Sequence, residues 1–593
     1  MKKVFSILIL IFLFNTLCFS ENLTKSQSKV LSLEEEKWFS ENPESLPIWM
    51  TEEEKSMKDE IGKGFMKTDP PPAPIRQPAE FEPMEGVLIR YPLGISTSII
   101  AEMAEDVIVY CLVTSYQQSS AYNTFAAGGV NMDNVQFINC QTDSYWTRDY
   151  GPWFIINGDG ESGIVNFTYN RPRPNDNLVP VYIGNYLGID VYGMDLVHTG
   201  GNYMTDGQHI SISTTLVWQE NTSMTHDEIA SMVNEYLGIN TYHVVPDPNN
   251  TYIDHVDCWA KYLAPDIIMI REVPPNHPQY DEIEASVDYF ESQVSCYGTL
   301  YNVVRVYTPN NQPYTNSLIL NNKVLVPITG SSWDDDAIAS YEEAMPGYEV
   351  LGFTGSWAST DALHCRTMGV TDRFMLYIEH SPLPDTVYTN DDYHIQTYIH
   401  PYSGETLIAD SLLLYWKTSD DDEFIPVQIQ QMFWHFYHAY IPIQPTGTTV
   451  QYYIHAADNS GRCENHPYIG APMAHSFYVG SGTSIDEITN QNKPILYQNY
   501  PNPFSVSTTI CFNIFDINFL QKDRGQAKEA EIKIYNIKGK LVKTLAPITN
   551  DNLTYIIWDG KDDSGIELQS GIYFYQLKLD NEIINTKRMV IMR

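Results

Sequence analysis

The stretch Asp143-Ser144-Tyr145-Trp146-Thr147-Arg148-Asp149-Tyr150-Gly151-Pro152-Trp153 sets four aromatic residues around an Arg-Asp pair and a Gly-Pro turn signal. Read alone, it fits an aromatic turn with Asp149 capping backbone amides as well as it fits a site. Two further stretches bear on it. In Asp254-His255-Val256-Asp257, His255 and Asp257 would face the same side of a strand, although a lone His-x-Asp is commonly structural. In His364-Cys365-Arg366 the cysteine, taken singly, reads as a small buried hydrophobe. Together the three supply a thiol, an imidazole and two carboxylates, a set able to form a Cys-His nucleophile site with a cation clamp. Two Asp residues suit a guanidinium, whose planar N–H fork pairs bidentately with carboxylates. A free thiol titrates near about 8.5 and needs a cationic neighbour to ionise at neutral pH. A cationic substrate or protonated His255 would supply one.

Working outward, 593 residues suggest roughly four folding units at about 150 residues each. Hydrophobic residues make up 43% and charged residues 18%, enough apolar material for large cores. Lys and Arg number 35 against 74 Asp and Glu, a net charge of −39. Such a surface repels phosphate backbones and excludes general nucleic-acid binding, while tolerating cationic substrates. Met1-Lys2-Lys3, the apolar run Val4 to Phe14 and Cys18-Phe19-Ser20 form a signal-peptide pattern over 1–20. Leu17 and Thr16, where small residues would be wanted, disfavour a lipoprotein reading through Cys18. No later run offers a membrane span, so none is expected in the mature chain. Of eight cysteines, seven remain without Cys18, which leaves an odd thiol. No CxxC pair supports a zinc ribbon or a thioredoxin-like motif.

Residues 21–77 are polar and read as an N-terminal extension, a solvated leader without chemistry. From Pro78 strand-like runs recur at Val87 to Tyr91, Val107 to Val113, Ile267 to Val273, Leu318 to Ile328 with a turn at Asn321-Asn322, and Phe374 to Ile378. Helices are predicted between them. Thr225 with Glu228 forms a capping box, Ile283, Val287, Phe290 and Val294 share a helical face, and Asp334 to Met345 stops at Pro346-Gly347. Residues 78–380 therefore read as one α/β domain. Over 383–480 helices vanish and short alternating strands predict a small β-sandwich. A linker at 481–493 leads to a second β-rich module over 494–593.

The span from Pro78 to about His380 resembles the guanidine-modifying (pentein) superfamily, in its agmatine deiminase and bacterial peptidylarginine deiminase branch. Pro78 to Tyr91, Trp146 to Trp153, Thr199-Gly200-Gly201-Asn202, His255-Val256-Asp257 and Leu363-His364-Cys365 carry the resemblance. It implies an α/β fold, a five-bladed α/β propeller of pseudo-repeated ββαβ units around a central site, followed by two β-sandwich (Ig-like) modules. It also implies Cys365 as nucleophile, His255 as general acid/base, Asp149 and Asp257 as the guanidinium clamp and Asn316 as an active-site residue, with Trp146 and Tyr252 lining the pocket. The implied reaction needs no metal and no cofactor. Cys365 attacks the guanidinium carbon, His255 protonates departing ammonia, and water hydrolyses the thiouronium adduct to a ureido group.

Arg171 and Arg173 lie two apart in a Pro-stiffened segment, and Arg forks bind carboxylates well. The resemblance matches them to contacts with the carboxylate of a C-terminal arginine, which agmatine lacks; a surface Arg-Pro-Arg loop paired with acids is the plainer reading. The expected substrates are arginine-containing peptides or proteins. Residues 494–593 resemble a type IX secretion sorting domain through Leu496 to Phe504, Lys533 to Lys543, Ser570 to Tyr575 and Lys587 to Arg593. That implies the type IX secretion machinery as partner and a secreted or cell-surface location. An agmatine or small-guanidine deiminase, and a non-catalytic surface binding protein on the same scaffold, stand as alternatives.

Overall fold

The computed structural model describes residues 46–250, 253–358, 361–388 and 391–481, and separate stretches of 495–591 beyond them. The expected signal peptide and almost all of the expected linker lie outside the described residues. The chain enters with an extended piece from residue 46 and a short helix, α1 (Glu52–Ser56), held by a Thr51–Glu54 capping box. Ile48 has no exposed surface, and burying such a side chain is worth about 1.5–3 kcal/mol. The leader is therefore not solvated throughout: Ile48, Trp49 and Ile75 are buried, whereas 55–70 between them holds no buried residue and Met66 is exposed.

That domain is built from five small sheets of related pattern. The first unit runs β1 (Met84–Arg90), α2 (Thr97–Asp106), β2 (Ile108–Val113), α3 (Gln118–Ala127) and β3 (Val135–Asn139), with the strands parallel. The second begins after α4 (Thr147–Tyr150) with β4 (Trp153–Ile156) and β5 (Ser162–Tyr169), an antiparallel pair. It then crosses over through α5 (Pro174–Asn177) and α6 (Val179–Leu187) to β6 (Asp190–His198), parallel to β5. The third repeats this with β7 (Met204–Thr205), β8 (Ile210–Thr214), α7 (Leu216–Glu220), α8 (His226–Leu237) and β9 (Thr241–Val245). The fourth has β10 (Ala260–Ala264), β11 (Ile267–Glu272), α9 (Tyr280–Glu291) and β12 (Asn302–Tyr307). The fifth has β13 (Leu318–Leu320), β14 (Lys323–Ile328), α10 (Asp334–Ala344) and β15 (Glu349–Thr354). The last strand, β16 (Met368–Thr371), returns to pair antiparallel with β1, so the first unit receives its antiparallel partner from the far end of the domain.

The elements follow local chemistry. α8 is opened by the reciprocal Thr225–Glu228 box, closed by Gly238 at φ 73° and turns Ile229, Val233, Tyr236 and Leu237 inward. α9 buries Ile283, Val287 and Phe290; Val294 falls past its end and is exposed, so the predicted face is one turn too long. Asn321 takes φ 55° at the predicted turn between β13 and β14. Residues of β11 and β14 are buried on both faces, as a strand flanked by helix on one side and core on the other requires.

Beyond β16 come two β-sandwiches. In the first, β17 (Leu376–Glu379) pairs with the strand Tyr393–Pro401, and two sheets close over a core that includes Ile378, Leu414, Ile454 and Phe477. The run at Phe374 to Ile378 thus belongs to the sandwich rather than to the α/β domain, because its free backbone edge pairs with that strand. In the second, two four-stranded sheets share a core that includes Phe512, Ile534, Trp558 and Tyr575.

Candidate active site

The five units place their functional side chains by one rule. Each contributes from the turn that precedes its first strand. Asp149 lies in α4 before β4, Gly201 and Asn202 in the 3-10 turn before β7, and Asp257 in the 3-10 turn before β10. Asn316 lies just before β13, and Cys365 in the 3-10 turn His364–Arg366 before β16. His255 and Asp257 are therefore not on a strand, as the sequence reading had them. His255 caps the turn that carries Asp257, and both reach the same place by another route.

Cys365 Sγ lies 3.4 Å from Asp257 Oδ2 and receives a hydrogen bond from Asn316 Nδ2 at 3.2 Å. Asn316 Oδ1 accepts from the main-chain N–H of Ala362 at 2.9 Å and of Cys365 at 3.3 Å, so it fixes the turn that carries the thiol. His255 Nδ1 is 3.6 Å from Asp149 Oδ1. Gly201 shows how closely these groups meet: a Cβ there would lie 2.6 Å from His255 Nδ1, 2.8 Å from Asp149 Oδ1 and 3.2 Å from Asp257 Oδ2. Only glycine fits, and its N–H donates to Asp149 Oδ1 at 3.3 Å. The Gly-Gly-Asn motif is thus a packing requirement of the site.

The electrostatics are set by burial and by two carboxylates held close together. Burial, then the charge of Asp257, pushes the Asp149 carboxyl up to about 8. Burial, then Asp257 and Asp149, raises the Cys365 thiol well above its usual range. Burial drives His255 down to about 3. The imidazole is therefore neutral at pH 7, which removes protonated His255 as the cation that ionises the thiol. Asp257 is the exception: burial works against its charge, but the hydrogen bond and charge of His364 outweigh it and hold the carboxyl below its ordinary value. Asp149 Oδ2, both ring nitrogens of His255 and Asn202 Nδ2 are buried with no hydrogen-bond partner among the described residues. Buried polar atoms left so are costly, and a planar multi-donor cation would satisfy the anionic ones.

Sequence reasoning missed the layer beneath. His364 Nδ1 faces Asp257 Oδ2 at 2.7 Å, and its Nε2 faces Glu80 Oε2 at 2.7 Å. Glu80 also takes Arg148 Nη2 at 2.6 Å and Lys261 Nζ at 2.7 Å. Those three partners hold buried Glu80 well below the carboxylate range despite its desolvation. The available signals were the histidine beside the cysteine and the acid run Glu80 to Glu85 in a quoted motif.

Trp146, Arg171 and Arg173 are buried beside the site, but each donates at least one hydrogen bond to residues 46–54. Trp146 Nε1 donates to Leu46 O at 2.9 Å, and Arg171 Nε to Ile48 O at 2.9 Å. Arg173 donates through Nε to Glu54 Oε1 at 2.7 Å. Its Nη2 donates to Pro47 O at 2.5 Å, Trp49 O at 3.2 Å and Glu54 Oε2 at 3.3 Å. Tyr252 lies outside the described residues. Among the described residues, Cys111, Cys140, Cys258, Cys296, Cys365 and Cys463 form no disulfide.

Residues 76–370 match the Porphyromonas-type peptidyl-arginine deiminase family. The chain carries a deiminase domain of that family. Residues 498–592 match the secretion system C-terminal sorting domain. Among curated relatives, the agmatine deiminase of Ectopseudomonas mendocina is 25% identical over 281 residues, covering 40% of this chain and 76% of its own length. Among solved structures, the agmatine deiminase of Enterococcus faecalis aligns at 21% identity and a TM-score of 0.46, over 50% of this chain and 96% of its own. That of C. jejuni aligns at 16% and 0.43, over 50% and 96%. The deiminase domain belongs to the hydrolases that act on guanidino C–N bonds.

Proposed function

We propose that the deiminase domain hydrolyses the guanidinium of arginine, preferentially at peptide C-termini, to citrulline and ammonia through a covalent adduct on Cys365. The observation that carries it is the meeting, around the Cβ-free point of Gly201, of Asp149, Asp257 and His255, with the Cys365 thiol donating to Asp257 and accepting from Asn316. A guanidinium between the two Asp carboxylates supplies the missing positive charge. It draws Asp149 into its anionic form and lowers the Cys365 thiol. Sγ then bonds to the guanidinium carbon. The C–N bond breaks, and the nitrogen leaves as ammonia with a proton delivered through His255. Water, deprotonated by neutral His255, attacks the same carbon, the C–S bond breaks, and the thiol is restored with a ureido product.

Arg171 and Arg173, drawn up beside the centre, support a carboxylate-bearing substrate; Trp146 and Tyr252 complete the pocket in this reading. The five units are the blades of an α/β propeller, and the two sandwiches are Ig-like modules. The sorting domain, read together with the N-terminal signal pattern, gives export by the type IX machinery, with cell-surface attachment as its end point. A second reading, a small-guanidine deiminase acting on agmatine, is favoured by one observation: Arg173 already holds the Glu54 carboxylate. The deciding experiment is mass spectrometry of an arginine-ending peptide, the same peptide with a C-terminal amide, and agmatine after incubation. Exchange of N–H for O in the free-carboxylate peptide alone supports the first reading, and in agmatine alone the second.

A further inference from the structure

Every residue assigned above to receive the substrate's backbone and carboxylate, among those described, is occupied from within the chain. The occupant is one continuous piece, residues 46–54. Its carbonyls take Trp146 Nε1, Arg171 Nε and Arg173 Nη2. Its one buried acid, Glu54, meets Arg173 through two guanidinium nitrogens, the fork geometry a terminal carboxylate would use. Ile48 and Trp49 share a buried cluster with Trp146, Ile253, Cys258 and Cys365, so they roof the nucleophile. Cys365, His255 and Asp257 have no exposed surface under that roof. Yet Arg173 Nη1 is buried without a partner among the described residues, so the piece fills this subsite incompletely.

We infer that residues 46–56 are a displaceable plug that imitates the substrate: Glu54 stands where the C-terminal carboxylate binds, Ile48–Trp49 close the way to Cys365, and an arginine-ending peptide binds only after the piece has left. This rests on the substrate reading above and adds a gate to it. While the plug is seated Arg173 is neutralised and Cys365 is closed off, so carboxylate-bearing substrates find no partner. Once the plug is displaced, both Arg residues favour them. A site competent in only a fraction of molecules has its apparent affinity lowered by that fraction.

The test is alkylation of the full chain with 2-chloroacetamidine, a small guanidine-like electrophile, read by peptide mass spectrometry. Wild type, Glu54→Gln and Trp49→Ala are compared, each also assayed for turnover of agmatine and of an arginine-ending peptide. In both variants Cys365 should be alkylated about tenfold faster or more, as expected if under a tenth of wild-type molecules are open. Buried Cys111 and exposed Cys463 should keep their wild-type rates. Turnover of the arginine-ending peptide and of agmatine should both rise with Cys365 labelling. Equal Cys365 rates in the three chains overturn the plug. Faster labelling with no guanidine consumed by any chain leaves the plug standing and removes the substrate reading. If Cys111 labelling reveals unfolding of a variant, hydrogen–deuterium exchange of the full-length Cys365→Ala chain decides. The arginine-ending peptide must then strip protection from 46–56, and unchanged protection overturns the inference.

Discussion

At the scale of single residues, the site is defined as much by what is left out as by what is present. Gly201→Ala would drive a methyl group among His255, Asp149 and Asp257, the side chains assigned to the proposed chemistry. Since displacements of about 1 Å can cost roughly 100-fold in rate, turnover should fall at least that far while the melting temperature stays close to wild type. Ammonia release beside a thermal scan checks both. Cys365→Ala should release no ammonia from any guanidine compound; residual release at the wild-type rate would remove the covalent mechanism. The raised Asp149 carboxyl gives the pH dependence its sign. Below about 8 the substrate-free site holds Asp149 protonated, so a guanidinium meets one carboxylate instead of two. kcat/KM, which reports the free enzyme, should therefore climb as pH rises toward 8, and Asp149→Asn should abolish activity and the climb together. The chemistry of Cys365, His255, Asp149 and Asp257 was legible as residue types in the sequence, but their meeting was not. They span more than 200 positions, and no local pattern brings them together.

At the scale of elements, legibility followed locality. The Thr225–Glu228 box is a contact within four residues and was readable. Thr225→Ala should cost about 1 kcal/mol, seen as a lowered denaturation midpoint with unchanged turnover. The five-unit repeat was invisible, because the units share strand order and crossover but not side chains. The antiparallel pairing of β1 with β16 joins Leu88 to Met368, and nothing nearby in the chain announces it. Leu88 is fully buried on β1. Leu88→Ala should cost roughly 2–5 kcal/mol, measured by chemical denaturation of the deiminase domain, and should expose Cys365 to alkylation as the turn before β16 loosens. The role of residues 46–54 was hidden for a plainer reason. Four of the six hydrogen bonds described there come from main-chain carbonyls, which every residue owns.

At the scale of the whole molecule, buried histidines set the acid limit. His466 is held down to about 3 and His380 to about 4, chiefly by burial, with His475 and the Tyr452 hydroxyl of the first sandwich and the Tyr297 hydroxyl of the fourth unit around them. The unfolded chain protonates such groups near about 6.5. Their contribution to stability is complete above that value and is lost progressively as pH falls toward 4 and 3. The unfolding temperature should therefore drop below pH 6.5, and His466→Gln should flatten the slope. A slope that persists unchanged would assign acid sensitivity elsewhere. The return of the final strand to the first has one more consequence, for the chain as it is made. The ribosome delivers β1 early and β16 some 280 residues later, and the nucleophile rides just ahead of that last strand. Until it emerges, the four earlier turns have assembled a clamp with no sulfur in it. A nascent chain halted anywhere short of residue 365 thus lacks the thiol on which the proposed chemistry depends.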